Sequence, residues 1–127
     1  KDLESVKPGT PIVVVTHIPF VSVHHQIIPP RNPIPPAPNE NWISNRNEIL
    51  NMFKGHNLRL VLQGHLHWVE DIKVENTRFI TGGAVAGRPS WKGNNNGEQG
   101  FMIFNINGEN ITWRFVGYGW RNSIANQ

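Results

Sequence analysis

The sequence contains no cysteine, which excludes a disulfide framework and any thiolate metal site. It also lacks an apolar run long enough to cross a bilayer. Hydrophobic residues at 38% and aromatic residues at 9% fit an ordinary globular composition. An excess of one charge is missing as well: twelve basic residues face nine acidic ones, for a net charge of +3. No Lys/Arg cluster is visible along the chain, so no nucleic-acid partner is indicated. No internal repeat and no domain boundary is seen. At 127 residues the chain reads as a single unit with a modest core. Lack of cysteine fits both a cytoplasmic and an exported location, and any signal peptide would lie outside this sequence.

What the chain does have is histidine at the ends of apolar runs. Pro11-Ile12-Val13-Val14-Val15-Thr16-His17 is the clearest strand, β-branched throughout and closed by His17, with Pro19 two residues later. Leu60-Val61-Leu62-Gln63-Gly64-His65-Leu66-His67 ends in the same manner, too short for a helix by its apolar length. Gly64 is expected to let the backbone turn there. On an extended backbone residues i and i+2 point to one side, which would bring both imidazoles to one site. Two buried strands ending on histidine suggest a shared carboxyl edge, the place where open α/β sheets bind ligands. Spacing alone leaves metal binding and plain strand-end histidines equally open.

V-V-V-T-H-I-P followed by the Gly64-His65-Leu66-His67 motif resembles the second half of a calcineurin-like metallophosphoesterase. The stretch from Asn47-Glu48-Ile49-Leu50 to Leu58-Arg59-Leu60-Val61 is similar to the helix and strand that lead into the second motif. The likeness runs from about Pro11 to Gly83. The family's upstream motifs, D-x-H, G-D-x-x-D and G-N-H-E, are not in this sequence, which begins at Lys1 in what resembles the spacer before the first histidine motif. The chain therefore reads as the carboxyl-terminal portion of a larger phosphoesterase domain, spanning residues 1–127.

Taken in order, Pro8-Gly9 is a turn, and Ile18 to Glu40 is a long proline-rich loop carrying His24 and His25. Phosphate contact is one role for that histidine pair; two solvated loop histidines is the simpler reading. Asn41 to Lys54 has helical spacing, with Asn39 or Asn41 as cap, Trp42, Ile43, Ile49, Leu50 and Phe53 near one face, and Gly55 at the exit. His56 falls where it would meet the last helix carbonyls. Trp68 to Val74 and Thr77 to Thr81 alternate as a hairpin around Glu75-Asn76, broken by Gly82-Gly83. Arg88 to Gly100 is a loop by composition. Phe101 to Ile106 and Asn110 to Val116 form a second hairpin around Asn107-Gly108-Glu109, leaving Gly117-Tyr118-Gly119-Trp120 and the end as a tail. The element order is β, α, then mostly β. The resemblance sharpens this α/β (α+β) pattern to part of an αββα two-sheet sandwich, with an apolar sheet face left for the missing half or for self-association.

The resemblance also implies the chemistry. Phosphoester hydrolysis, of mono- or diesters, needs positive charge on the phosphoryl oxygens and a strong nucleophile at neutral pH. Two divalent ions (Mn, Fe or Zn) meet both needs by clamping the phosphate and activating a bridging water. His17 and His65 would ligate one ion and His67 the other. The bridging Asp, an Asn ligand and the leaving-group His would lie in the absent half. The isolated chain would then hold at most one ion, weakly, and be inactive. Trp91 and Lys92 are candidate pocket residues, Lys92 as a point charge for phosphate, although a tryptophan more commonly just covers a sheet. Two other classes stay open. One is a single-zinc enzyme using the three histidines. The other is a non-catalytic β-rich binding module stacking ligands on Trp68, Trp91, Trp113 and Trp120.

Overall fold

The computed structural model describes residues 2–24, 43–87 and 98–121. His25, Trp42, Trp91 and Lys92, and most of the proline-rich loop, lie outside the described residues. The elements are a 3-10 turn at Leu3–Ser5, β1 (Pro11–Val15), α1 (Arg46–Met52), β2 (Asn57–Gln63), β3 (Glu70–Val74), β4 (Thr77–Thr81), β5 (Glu98–Asn107) and β6 (Asn110–Arg121). Among the described residues the fold is thus mixed α/β, mostly strands in two sheets with one α-helix. The first sheet has order β1-β2-β4-β3, and the second is the β5-β6 hairpin. No helix among the described residues is long and apolar enough to cross a membrane.

β1, β2 and β4 run parallel, and β3 returns antiparallel beside β4. Alternation, reset by the extra residue Arg59 between Leu58 and Leu60 of β2, then sorts the side chains into two layers. On one face Leu58, Val61 and Phe79 form a buried cluster with Phe20, and Ile12, Val14, Ile43, Ile49, Leu50, Phe53 and Ile72 pack around it. The expected apolar stripe of the helix is therefore the stripe that faces the sheet. On the other face Leu60 and Ile80 pack against Ile111 of the hairpin, with Leu62, Met102, Phe104 and Trp113 around them. Leu60 and Val61 are fully enclosed, on opposite faces, and each contributes on the order of 2 kcal/mol of burial. Two polar contacts fasten the hairpin down: Arg78 Nη1 donates to the Ile111 carbonyl at 2.7 Å, and Trp113 Nε1 donates to Asp71 Oδ2 at 2.6 Å.

Three expectations are corrected. The helix begins at Arg46, with Asn45 at its cap position, and spans seven residues. Ile43 lies outside the helix, and its amide donates to the Pro19 carbonyl (3.3 Å), which ties the chain ahead of the helix to the segment after β1. The exit is as expected, with Gly55 at φ 86° and the His56 amide bonded to the Phe53 carbonyl at 2.9 Å. The Glu75-Asn76 hairpin forms, but its first strand begins at Glu70, which pairs with Thr81, the last residue of β4; the next residue, Gly82, bonds to the Gln63 carbonyl. Gly117 to Trp120 are not a tail: they belong to β6. Gly100 pairs with Gly117, and a methyl group at Gly100 would collide with the Val116 carbonyl and the Phe115 ring. Glycines that read as breakers are here a condition of close strand approach. The turn of this hairpin is the two-residue Gly108-Glu109, with Gly108 at φ 57°, as a tight hairpin turn led by glycine requires.

Candidate functional site

β1 and β2 pair in parallel up to Val15 and Leu62, so both carboxyl ends reach the same edge of the sheet. The pairing continues past the strands: Thr16 donates to the Leu62 carbonyl (2.9 Å) and Gly64 to the His17 carbonyl (3.0 Å). These two bonds fix the backbone of His17 against that of Gly64 and His65. The rings then meet, His65 Nδ1 lying 3.2 Å from His17 Nε2 with the planes nearly perpendicular at 78°.

The local backbone differs from the expected extended one. Gly64 is not left-handed; His65 (φ 70°) and His67 (φ 53°) are. The i, i+2 rule for strands does not apply to them, since neither lies in a strand. A left-handed L-residue costs about 1–2 kcal/mol, and two within three residues is strain concentrated at the sheet edge. Neither φ nor space demands glycine at position 64: an added Cβ would sit 3.6 Å from the His17 carbonyl oxygen, an ordinary contact.

Two bonds from a zinc ion to imidazole nitrogens, each about 2.0–2.1 Å and set at a tetrahedral angle, put the nitrogens about 3.4 Å apart. The His17–His65 separation of 3.2 Å matches such a pair of donors to one ion. The pair serves equally as a hydrogen bond between neutral rings of suitable tautomers. Among the described residues no group of three or more His, Asp or Glu side chains is placed to hold a metal. His67 stands near enough for its protonation to be disfavoured by charge on His65 and on His17.

Desolvation is the larger cause of that effect, and both causes hold the His67 pKa below its ordinary value. The sign follows directly. In the unfolded chain His67 binds a proton near pH 6.5, whereas the folded chain resists it until lower pH. The stabilising contribution is present above the unfolded pKa and is lost as pH falls toward the folded one. Titration of the metal-free chain followed by histidine proton NMR is expected to place the His67 midpoint below that of an exposed histidine. A midpoint at or above the ordinary value would contradict this environment.

Reading by motif missed the group that supports the edge. Gln63, the last residue of β2, is buried, and so are Thr81 at the end of β4 and Glu70 at the start of β3. Gln63 Oε1 accepts from the Phe20 amide (3.0 Å), and its Nε2 donates to the Val21 carbonyl (2.5 Å) and to the Thr81 hydroxyl (2.9 Å). Thr81 donates onward to Glu70 Oε2 at 3.3 Å, while Glu70 Oε1 accepts from the Val23 amide at 3.1 Å. These side chains hold residues 20–23, the segment that leaves His17, against the strand that delivers His65. Glu70 is thereby committed to this brace. His24 follows that segment; its amide donates to the Ser22 hydroxyl at 3.0 Å, and its ring packs edge-on against Trp68 with centroids 5.4 Å apart. His24 thus lies beside the residue that follows His67, at the rim of the edge. The one cue in the sequence was a glutamine in the alternate position after Val61, on the face that otherwise carries core residues.

Compared with protein-family models, with curated proteins and with solved structures, the chain matches none.

Proposed function

We propose that this chain is the carboxyl-terminal half of a calcineurin-like metallophosphoesterase domain, and that the full-length protein hydrolyses phosphoesters. The observation that carries the reading is the meeting of His17 and His65 nitrogens at 3.2 Å, across the carboxyl edge of two parallel strands. Backbone strain at His65 and His67 adds to it, because left-handed non-glycine residues persist where the surroundings impose them, often at functional sites.

In this reading His17 and His65 hold one divalent ion and His67 contributes to a second. The ions, when bound, supply positive charge to the phosphoryl oxygens and activate water as the nucleophile. The chain's own residues present neutral donor nitrogens, fix their separation through the Thr16 and Gly64 backbone bonds, and hold the loop from His17 through the Gln63 brace. In this reading His24, whose ring packs against Trp68, would contact a substrate oxygen or leaving group. The bare sheet face fits a sandwich missing part of its second sheet. Ile12 and Val14 face the helix side, so Val13 and Val15 face the hairpin side, where they are 44% and 76% exposed. Beside them a groove of about 200 Å³ is lined by Leu62, Ile80, Val85, Phe101, Met102 and Phe104, among others. Strands of the missing half, or a second copy of the chain, would cover that face.

The rival of a binding module stacking ligands on tryptophan has less support. Trp113 is half-buried in the hairpin core, and its indole N–H is spent on Asp71. The test of the proposal is hydrolysis of an aryl phosphomonoester and an aryl phosphodiester with added Mn or Zn. Turnover is expected from the full-length protein and almost none from this chain alone. Full activity in the isolated chain would overturn the half-site reading.

A further inference from the structure

At the end of the sheet away from the histidines, three cations that are scattered along the sequence come together. Lys73 of β3 and Arg78 of β4 are cross-strand partners, and Arg78 in turn pairs with Leu60 of β2, next to Arg59. Arg59, Lys73 and Arg78 line one cavity of about 290 Å³ beneath the hairpin turn, together with Asn76, Glu109 and Asn110. Like charges on neighbouring strands repel, so such a row persists only with compensation.

The compensation is incomplete. Arg78 is well matched, with Nη2 at 2.8 Å and Nε at 3.2 Å from the Asp71 carboxylate and Nη1 on the Ile111 carbonyl. Arg59 is not: its Nη2 reaches only the Glu109 carbonyl at 3.2 Å, and its Nη1 stands 3.6 Å from a Glu109 carboxylate whose side chain is 78% exposed. The Nε of Arg59 is buried with no hydrogen-bond partner. That Nε is closed off from solvent, so an oxyanion in the cavity would meet Arg59 through its Nη1 and Nη2 groups, which the exposed Glu109 carboxylate compensates only loosely. Lys73 makes no ion pair among the described residues. The cavity therefore presents net positive charge, with Arg59 only loosely matched by Glu109, no ion pair on Lys73, and Asn76 and Asn110 on its wall.

We propose that this cavity is an anion-binding site for a single phosphate-type oxyanion, separate from the histidine edge. Arg59 and Lys73 supply the charge, and Asn76 and Asn110 flank it. The cavity admits one phosphate group and not a nucleic-acid backbone, since no basic stripe leads away from it along the described strands. Its ligand class is a small phosphorylated or sulfated molecule, which enters from the solvent side of the turn.

The experiment is titration of the isotope-labelled chain, free of metal, with inorganic phosphate and separately with inorganic sulfate, followed residue by residue by NMR. Saturable shifts are expected at Arg59, Lys73, Asn76 and Asn110, with affinity in the range of about 1 mM for a one-group anion. Lys73→Ala and Arg59→Ala should each weaken binding roughly tenfold, as loss of a charge-assisted contact does, while His17→Ala leaves it unchanged. Preference for phosphate over sulfate would identify the source as a phosphorylated ligand, and equal binding would assign both classes. Shifts that fail to saturate by about 50 mM, or that survive unchanged in Lys73→Ala, would overturn the proposal. Shifts confined to His17 and His65 would overturn it equally.

Discussion

Replacing His65 by alanine in the full-length protein is expected to lower phosphoester hydrolysis by at least about a hundredfold, because loss of even a group supporting a metal ligand commonly costs 10–100-fold. His65 Nδ1 and His17 Nε2 lie 3.2 Å apart, and on the proposed reading removing either nitrogen would leave the other as a single weak metal donor. The fold should survive. His65 lies beyond the last residue of β2, is only partly buried, and holds a left-handed φ of 70°. Glycine adopts that conformation without penalty, so His65→Gly should be as inactive as His65→Ala yet more stable by up to about 1 kcal/mol. Loss of activity with a gain in stability is the signature of a strained functional residue. An active His65→Ala protein would remove the ligand assignment, and a destabilised His65→Gly would remove the strain argument.

The second large effect is expected at a residue with no direct chemical role. Gln63→Leu keeps the side-chain volume but deletes four hydrogen bonds at once: those to the Phe20 amide, the Val21 amide, the Val21 carbonyl and the Thr81 hydroxyl. Buried polar groups left without partners cost about 1–3 kcal/mol each, and partial relaxation brings the sum to about 3 kcal/mol. For a domain of this size that is a fall of about 10 °C in Tm. Amide exchange should show where the loss falls. Residues 20–23 should lose protection, while Leu60 and Ile80, in the core on the hairpin side, retain theirs. A Gln63→Leu protein with unchanged Tm and an unchanged exchange pattern would mean that the brace is incidental.

The two strand ends were legible because a β-branched run closing on His17 and an apolar run closing on Gly64-His65 each carry their own local signal. The apolar face of the helix was legible for the same reason, through Ile49 and Leu50 with Phe53 at the exit. What escaped reading was set by contacts far apart in sequence. Ile43, which precedes the helix, is tied to Pro19 across a long stretch of sequence. The Gly117-Tyr118-Gly119-Trp120 segment extends β6 because β5 lies opposite and needs the space at Gly100, and Tyr118 reaches across to the Val85 carbonyl. The left-handed turn fell on His65 and His67 although a glycine stood beside them. Gln63, Thr81 and Glu70 form one network only after three strand ends come together, and Arg59, Lys73 and Arg78 converge for the same reason.

The pairing of His17 with His65 as donors to one ion is tested most directly by titrating the chain with Zn while observing its histidine ring nitrogens by NMR. His17 Nε2 and His65 Nδ1 are expected to shift together, to saturate at one equivalent, and to do so weakly, since two neutral imidazoles without a carboxylate make an incomplete site. In His17→Ala the response of His65 should disappear. Silence of both rings at millimolar Zn, or one tight equivalent that is indifferent to His17→Ala, would contradict the assignment.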